Sequence, residues 1–436
     1  MKERQTRRSV LQIGGGLSAA LVAGCASVMN GDDEENGIDD ANGGDDQGNG
    51  DDSNGDDDKG GGALELPAPE GILLDDFEAL GEWDIINGAM ETDDVQFVSG
   101  SQSARIVVEE DDIRGAIKRD FHPPIDLTQR RPQLAIKSDK DIQPWLQIVD
   151  IYGNRMDVRT AVSGGLDFQY FDFGIDAVDS DVDLGAIEEI RFVTYVGDED
   201  TRDIQIDQLR ASGYSLPGIV MVQFDDVVQS QYTNGFPILE EFDIQASAMI
   251  NPGYIGRFVG GKERMRQDEL DELYDAGWDI GNHGMYHQNL VNLDEDERES
   301  EIRDAHQWLV DNGFERGADY FTYPYAMYDQ DVLEVVAQDH ELGFTAGWPS
   351  VAKYANPMLI HRASGDPSAE DAKQLIDLAA THGGITIMYY HDIVDETEDD
   401  LYDAMEYLAA QRDDGYVRVT TVSELGDDLL DESINQ

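Results

Sequence analysis

Cysteine, basic residues and histidine are all scarce in this sequence. Among its 436 residues there are one Cys, eight His and 30 Lys or Arg, against 93 Asp or Glu. One cysteine excludes a disulfide framework within the chain. The net charge of −63 repels nucleic-acid phosphates and anionic lipids, so we expect neither nucleic acid nor a membrane surface as a partner. After residue 30, no segment approaches the roughly 20 apolar residues of a membrane-spanning helix.

The acidic excess extends over the expected folded regions as well as the linker, and only eight of the 30 basic residues are Lys. An acidic surface keeps any protein hydrated, but self-repulsion on this scale favours surroundings in which salt screens it. We therefore expect a halophilic source.

The chain is long enough for two or three domains, each with its own core. We expect a monomer.

The first 25 residues have the pattern of an export signal. A twin-arginine motif, Thr6–Leu11, precedes an apolar stretch from Val10 to Ala23 that is short for a membrane span. The stretch ends in Leu21–Cys25, which resembles a lipobox, with cleavage before Cys25 and a lipid on its sulfur. A plain signal peptide with an incidental cysteine is the alternative. The pattern predicts a protein outside the cell, either held at the membrane by that lipid or released.

Two further regions follow the signal before the second half of the chain. Residues 26–68 are almost entirely Asp, Gly, Asn and Glu, which predicts an acidic, disordered linker. Over residues 69–215, short alternating segments such as Ala104–Val108, Trp145–Val149 and Ile190–Tyr195 are separated by turn residues. This spacing predicts an all-β sandwich.

The sandwich region resembles carbohydrate-binding jelly rolls of the galactose-binding type. The resemblance rests on three motifs: Leu74–Glu78, Gly100–Ala104 and Ile204–Asp207. It implies a sugar-binding or spacer role, and it makes Asp75 and Asp207 candidates for a structural Ca²⁺ site. Ordinary turn and capping carboxylates are the alternative. Trp83 and Trp145 are candidate platforms for stacking sugars, although for Trp83 packing in the core is the favoured alternative.

Strands and helices alternate over residues 216–430. Gly218–Gln223 is an apolar run that ends in acid, Gln267–Ala276 is amphipathic, and Asp400–Ala410 has apolar residues on one face. This alternation predicts a parallel sheet closed into a barrel, with polar functional residues at the carboxyl ends of the strands.

Five polar residues stand at such strand ends. Asp225 and Asp226 follow the first strand, although aspartates are so common here that an ordinary turn would explain them. His283 and His287 converge on one point if their segment makes a single helical turn, and two imidazoles with one carboxylate can hold zinc or another divalent ion. Surface histidines are the alternative. His391 follows Ile385–Tyr390 and is either a general acid or structural.

Taken in order, these residues resemble the polysaccharide deacetylase family, the NodB-homology domain. The motifs that match are Gln223–Asp226, His283–His287, Tyr323–Tyr325 and Tyr389–His391, followed by a closing strand and helix in Val417–Leu425. The resemblance implies a distorted (β/α) barrel with fewer than eight strands. It also implies a hydrolase that removes N-acetyl groups from a surface or extracellular polysaccharide with the help of a metal ion.

The resemblance assigns a role to each residue of the site. Asp226, His283 and His287 would bind the ion, Zn²⁺ before Co²⁺, Ni²⁺ or Mn²⁺. Asp225 would be the general base. The remaining assignments are His391, which would protonate the leaving amine, and Tyr325, whose backbone N–H would help to hold the oxyanion.

The sequence departs from the family pattern at several positions. Val227 replaces the Gly that usually follows the acidic pair, and its bulk either narrows the mouth of the site or shifts the loop. Thr322 replaces the Arg that orients the catalytic Asp. Arg362 is a candidate substitute for that Arg, with a surface ion pair as the alternative. Tyr389 replaces a Leu and either lines the acetyl pocket or packs in the core.

Other functions remain open at this stage. The same site would suit O-acetyl esters, or amides and cyclic imides of small molecules. The sandwich favours a polymeric sugar, because a small-molecule enzyme gains nothing from it. A non-catalytic lipoprotein that binds glycan is the third possibility, and the complete set of site residues argues against it.

Overall fold

The computed structural model of the protein describes residues 10–12, 69–109, 112–196 and 201–430. The export signal expected in residues 1–25 and the linker expected in residues 26–68 therefore lie outside the described residues, except for Val10–Gln12. Within the described ranges, the structure has no helix that combines the length and the apolar character needed to cross a membrane.

The N-terminal region is made of strands joined by turns, with a single 3-10 turn at Leu80–Glu82 in the part described. The strands are β1 (Val10–Gln12), β2 (Ile72–Asp75), β3 (Trp83–Asn87), β4 (Ala89–Asp93), β5 (Ser103–Val108), β6 (Arg114–Ile125), β7 (Arg130–Ser138), β8 (Trp145–Asp150), β9 (Arg155–Arg159), β10 (Gln169–Asp172), β11 (Gly174–Asp179), β12 (Ile187–Tyr195) and β13 (Arg202–Gly213).

These strands form two antiparallel sheets. One has the order β1-β11-β9-β8-β12-β6-β3, and the other has the order β10-β7-β13-β5-β4 with β2 beside β13. Alternate residues of the strands point inward, so that Ile106 from one sheet and Ile148 and Phe192 from the other belong to one buried core. The expected sheet-rich N-terminal region is confirmed, while its assignment as a jelly roll stays a prediction.

The C-terminal region alternates strands and helices. Its strands are β14 (Gly218–Asp225), β15 (Ser247–Ile250), β16 (Phe258–Val259), β17 (Lys262–Glu263), β18 (Asp279–Asn282), β19 (Tyr320–Thr322), β20 (Leu342–Ala346), β21 (Ile360–Arg362), β22 (Ser364–Gly365), β23 (Ile385–Tyr390) and β24 (Val417–Val419). Its helices are α1 (Phe236–Glu241), α2 (Gln267–Asp275), α3 (Glu295–Asp311), α4 (Glu315–Ala318), α5 (Gln330–Asp339), α6 (Ala369–His382), α7 (Glu396–Asp413) and α8 (Val422–Leu430).

The principal sheet of this region is parallel and nearly closed. Its order is β21-β20-β19-β18-β15-β14-β23-β22, with β24 beside β14. Only Ala363 separates β21 from β22, and its N–H donates to the carbonyl of Ile387 in β23 at 2.7 Å, so the two ends of the sheet meet. The expected parallel barrel is thus confirmed. Its strands all point their carboxyl ends to one rim, where the predicted site residues stand.

The two regions pack against each other through buried polar contacts. Gln133 donates its side-chain N–H to the carbonyl of Lys353 at 2.8 Å and also to the carboxylate of Asp172 at 2.8 Å. That carboxylate in turn accepts the N–H of Ala355. Because buried polar groups are stable only when paired, these contacts fix the sandwich against the barrel.

Candidate active site

The acidic pair stands where β14 ends and the backbone reverses. Asp225 is the last residue of the strand and is buried, whereas Asp226 is partly exposed. Asp226 and Val227 have φ of 76° and 54°, in the left-handed region that a β-branched residue rarely adopts. The reversal turns the two carboxylates in different directions.

Val227 itself is fully buried and packs in the barrel core, so its side chain does not narrow the mouth of the site.

The histidine pair lies on a loop after β18. This loop does not make a single helical turn, because its backbone is irregular, with φ of 77° at Gly284 and 55° at His287. The loop is held instead by the carboxylate of Glu301 in α3, which accepts the N–H of Tyr286 at 2.6 Å. The two imidazoles still converge, with ring centroids 4.7 Å apart.

Asp226, His283 and His287 place three ligand atoms around one point. The Asp226 Oδ1 atom lies 3.7 Å from His283 Nε2 and 3.4 Å from His287 Nε2. Ligand bonds of about 2.1 Å in a tetrahedral site put the donors roughly 3.4 Å apart, so the spacing fits a metal ion. Two imidazoles and one carboxylate also form a common donor set of catalytic zinc sites. All three ligand atoms lie within 4.8 Å of one another.

The hydrogen bond of one imidazole and the pKa of the other suit metal ligation. The Nδ1 atom of His283 lies 2.8 Å from the carbonyl oxygen of Thr322, so Nδ1 donates to that oxygen and Nε2 is directed to the ligand cluster. Burial, assisted by the neighbouring His283, lowers the pKa of His287 to about 4 against the opposing charges of Asp226 and Asp225. The neutral imidazole therefore prevails at neutral pH.

Arg362 lies beside Asp225. Its Nη1 atom is 2.7 Å and 2.9 Å from the two carboxylate oxygens, and both side chains are buried. Burial alone would raise the pKa of Asp225, but the charge and the hydrogen bond of Arg362 act against it, and that pKa lies below its usual range. Asp225 is thus a carboxylate at neutral pH. The structure makes Arg362 a buried partner of Asp225 and not a surface ion pair.

The ring of Tyr389 packs against the guanidinium of Arg362. The guanidinium carbon lies 4.0 Å from the centroid of the Tyr389 ring, and that ring is 5.6 Å from the ring of His391. Gly365 leaves room for it, because a Cβ at that position would lie 2.7 Å from the Tyr389 ring. Tyr389 therefore lies among the site residues rather than in the core.

His391 follows β23 and is paired with Asp366. Its Nδ1 atom lies 2.7 Å from Asp366 Oδ2, and its backbone N–H donates to Asp366 Oδ1 at 2.8 Å. Burial lowers the pKa of His391, but the hydrogen bond and charge of Asp366, with the charges of Asp225 and Asp226, outweigh it and raise the pKa to about 9. Sequence reasoning missed Asp366, because the strand that precedes it, β22, has only two residues and leaves no recognisable pattern.

Tyr325 stands at the mouth of the site. Its ring centroid is 4.5 Å from that of His287, and the side chain is 40% exposed. Tyr325 and Ala326 have φ of 59° and 54°, a second pair of left-handed residues beside the site. Such strained backbone persists only where the surroundings over-determine it, and it is typical of functional sites.

The candidates for a calcium site in the sandwich have other partners. Asp75 accepts the N–H of Phe77 at 2.8 Å and pairs with Arg119 at 2.6 Å. Asp207 accepts the N–H of Val98 at 2.8 Å. Among the described residues, neither Asp75 nor Asp207 belongs to a group of three His, Cys, Asp or Glu side chains that could hold a metal ion. These contacts are those of turn and capping carboxylates.

The two candidate stacking tryptophans of the sandwich differ in position. Trp83 is buried and stacks on Phe77, with ring centroids 5.0 Å apart, so it is a core residue. Trp145 lies at the boundary with the barrel, beside Arg159 and Tyr195. Of the two, only Trp145 is partly exposed.

Part of the chain matches a known family. Residues 215–346 match the family model described as polysaccharide deacetylase. Poly-β-1,6-N-acetyl-D-glucosamine N-deacetylase of Staphylococcus aureus (strain MRSA252) is 27% identical over 154 residues, which are 33% of this chain and 53% of that protein. The Bacillus subtilis (strain 168) protein YxkH is 24% identical over 149 residues, 34% of this chain and 52% of that protein. The chain thus spans about half the length of these curated relatives.

Among solved structures, a family 4 carbohydrate esterase from Streptomyces lividans, in complex with acetate, is similar to 48% of this chain and 95% of its own, with 17% identity and a TM-score of 0.36. The segment that matches the family model, residues 215–346, contains Asp225, Asp226, His283 and His287. The family match and the relatives support a hydrolase of the carbohydrate-deacetylase type.

Proposed function

We propose that the protein hydrolyses N-acetyl groups on an extracellular polysaccharide with the help of a divalent metal ion, Zn²⁺ before Co²⁺, Ni²⁺ or Mn²⁺. The observation that carries the proposal is the convergence of three ligand atoms, with Asp226 Oδ1 at 3.4–3.7 Å from the Nε2 atoms of His283 and His287. A second carboxylate, that of Asp225, is buried beside them. The relative that acts on poly-N-acetylglucosamine supports an amino-sugar polymer as the substrate.

The chemistry requires a base, and Asp225 has the properties of one. A divalent ion held by Asp226, His283 and His287 would supply a nucleophile near neutral pH and would polarise the acetyl carbonyl. Asp225 is ionised, lies 4.0 Å from His283 Nε2, and is held by Arg362, so it accepts the proton of the attacking water. The backbone N–H of Tyr325 donates to the developing oxyanion, a contribution of roughly 3 kcal/mol.

An amide nitrogen leaves poorly unless it is protonated, and His391 supplies the proton. A pKa of about 9 keeps the imidazole of His391 cationic at neutral pH. Its Nδ1–H is directed to Asp366, which leaves the Nε2–H to face the substrate. Base and acid thus stand at the carboxyl ends of two adjacent strands, β14 and β23.

Export and anchoring complete the proposal. A twin-arginine signal and a lipid on Cys25 would place the enzyme on the outer face of the cell membrane, and the N-terminal sandwich, as a carbohydrate-binding jelly roll, would hold its polymer. Removal of O-acetyl groups is the second candidate, because the same residues would attack an ester, whose oxygen needs less help to leave.

The test measures acetate released from two polymers of different chemistry, N-acetylglucosamine oligosaccharides and O-acetylated xylan. We expect release from the oligosaccharides, and its loss in Asp225→Asn, which keeps the shape of the side chain but removes the base. Faster release from the xylan would favour the esterase. No acetate from either polymer, with Asp225→Asn behaving like the wild type, would rule out a deacetylase.

A further inference from the structure

A cleft lies between the sandwich and the barrel, outside the catalytic residues described above. Its volume is about 420 Å³, within the roughly 300–1,000 Å³ of small-molecule sites. The side chains that define this interdomain cleft come from both regions: Gln143, Trp145, Arg159, Tyr195, Ala326 and Trp348.

Residues that line the cleft adjoin residues of the active site. Ala326, which lines it, directly follows Tyr325, whose ring is 4.5 Å from the ring of His287. On the other side, Ala346 lines the cleft from the end of β20 and is the register partner of Arg362, which holds Asp225. A chain molecule with one unit at the metal ligands would therefore reach the cleft with its neighbouring units.

One carboxylate joins the two walls of the cleft. Asp176 in the sandwich accepts the indole N–H of Trp145 at 3.2 Å and that of Trp348, from the barrel, at 3.1 Å. Arg159 lies 3.8 Å from the same carboxylate and stacks on Trp145, with its guanidinium carbon 3.4 Å from the ring centroid. These contacts hold the two walls in a fixed relation, so the cleft is preformed.

The lining combines aromatic rings with polar side chains. Tyr195 is 51% exposed and packs edge-to-face with Trp145, with ring centroids 5.3 Å apart. Gln143 adds a side-chain amide to the lining. Sugars present an apolar ring face and a rim of hydroxyl groups, which matches this combination.

The charge of the cleft narrows the class of sugar. Asp176 already neutralises Arg159, and Asp141 adds a further carboxylate to the lining. A uronic-acid polymer would place its carboxylates against this acidic wall, whereas neutral or amino sugars would not be repelled.

We propose that the interdomain cleft is a binding subsite for neutral or amino-sugar units of the glycan that flank the sugar being deacetylated. The inference rests on the proposed function, which it deepens by assigning part of the substrate contact to the sandwich. It predicts that the sandwich and the barrel recognise one continuous chain, and that longer oligosaccharides react better than short ones.

The kinetic test uses N-acetylglucosamine oligomers of two to six units and the variants Tyr195→Ala and Trp145→Leu. We expect kcat/KM of the wild type to rise with length, and each variant to lose about tenfold more on the hexamer than on the dimer. Tyr152→Ala removes a tyrosine that is 69% exposed on the same sandwich, and it should leave both substrates unaffected. Equal losses at all lengths, or none, would overturn the subsite.

A binding measurement separates this inference from the proposed function. Calorimetric titration of the hexamer into the full chain with EDTA present needs no turnover. Binding that weakens about tenfold in Tyr195→Ala and not in Tyr152→Ala supports the cleft, even if the wild type releases no acetate from any glycan. Equal binding by both variants and the wild type rejects the cleft, even if acetate is released.

Discussion

The guanidinium of Arg362 lies within 2.9 Å of both carboxylate oxygens of Asp225, and both side chains are buried at the barrel rim. Arg362 is the last residue of β21, whereas Asp225 is the last residue of β14. The barrel brings the two strand ends to one rim, so the guanidinium reaches Asp225 from β21. In the family pattern that the sequence resembles, the Arg that orients the catalytic Asp would stand on β19, where this chain has Thr322.

Replacement of Arg362 by Met should shift the acid limb of the pH–rate profile upward. The pKa of Asp225 is depressed mainly through the charge of Arg362, so its loss raises that pKa and the base protonates at higher pH. Unfolding by denaturant should also become easier by about 3–5 kcal/mol at neutral pH, because a buried carboxylate loses its partner.

Arg362→Lys is the matched variant, since it keeps the charge and replaces the planar guanidinium by an ammonium group. Arg362→Lys should retain much of the free energy of unfolding that Arg362→Met loses. A depressed carboxylate pKa stabilises the fold above the pKa of the unfolded chain, and that stability is lost as pH falls through the folded pKa. An acid limb that stays in place in Arg362→Met would show that Asp225 is not the base.

Asp366→Asn should narrow the pH–rate profile from the alkaline side. Asp366 is the main group that raises the pKa of His391 to about 9, so its neutral analogue lets that pKa fall toward the usual value of about 6.5. The acid then loses its proton at lower pH. Asp403→Asn, which removes an exposed carboxylate paired with Lys373, should leave the profile unchanged. An alkaline limb at the wild-type position in Asp366→Asn would argue against His391 as the acid.

Gly365→Ala should impair the site without a change of charge. The new Cβ would lie 2.7 Å from the ring of Tyr389, which must move away from Arg362. Overpacking of this kind costs about 1–3 kcal/mol, and we expect kcat to fall about tenfold. Gly81→Ala is the control, because its Cβ meets nothing within 4 Å. Equal rates for the two variants would show that the position of Tyr389 is unimportant.

Stability should increase with salt. The net charge of −63 makes the folded state self-repelling, and salt at molar concentration reduces the screening length to about 3 Å. We expect the melting temperature to rise as NaCl is added, and an equal ionic strength of KCl to have the same effect. Full stability in salt-free buffer would remove the argument for a halophilic source.

The sequence predicted the placement of the site better than its local structure. Asp225, Asp226 and His391 could be placed because each follows an apolar strand, and parallel strands end at one rim. The conformation of the loop that carries His283 and His287 could not be predicted from the sequence, because it depends on Gly284 and on a carboxylate from α3.

The interdomain contacts lay beyond prediction for another reason. Trp145 and Trp348 meet through Asp176 although they belong to different regions of the chain. No periodicity or motif indicates which face of a sandwich packs on which part of a barrel. The same is true of the pairing of His391 with Asp366, which depends on how β22 and β23 align.

The most direct test is metal analysis combined with acetate release from N-acetylglucosamine oligosaccharides. The account predicts one divalent ion per wild-type chain, loss of acetate release after EDTA, and recovery when Zn²⁺ is returned. His287→Ala should lose the ion and the activity while its circular dichroism stays that of the wild type. Full acetate release from the metal-free protein, or undiminished metal binding by His287→Ala, would contradict it.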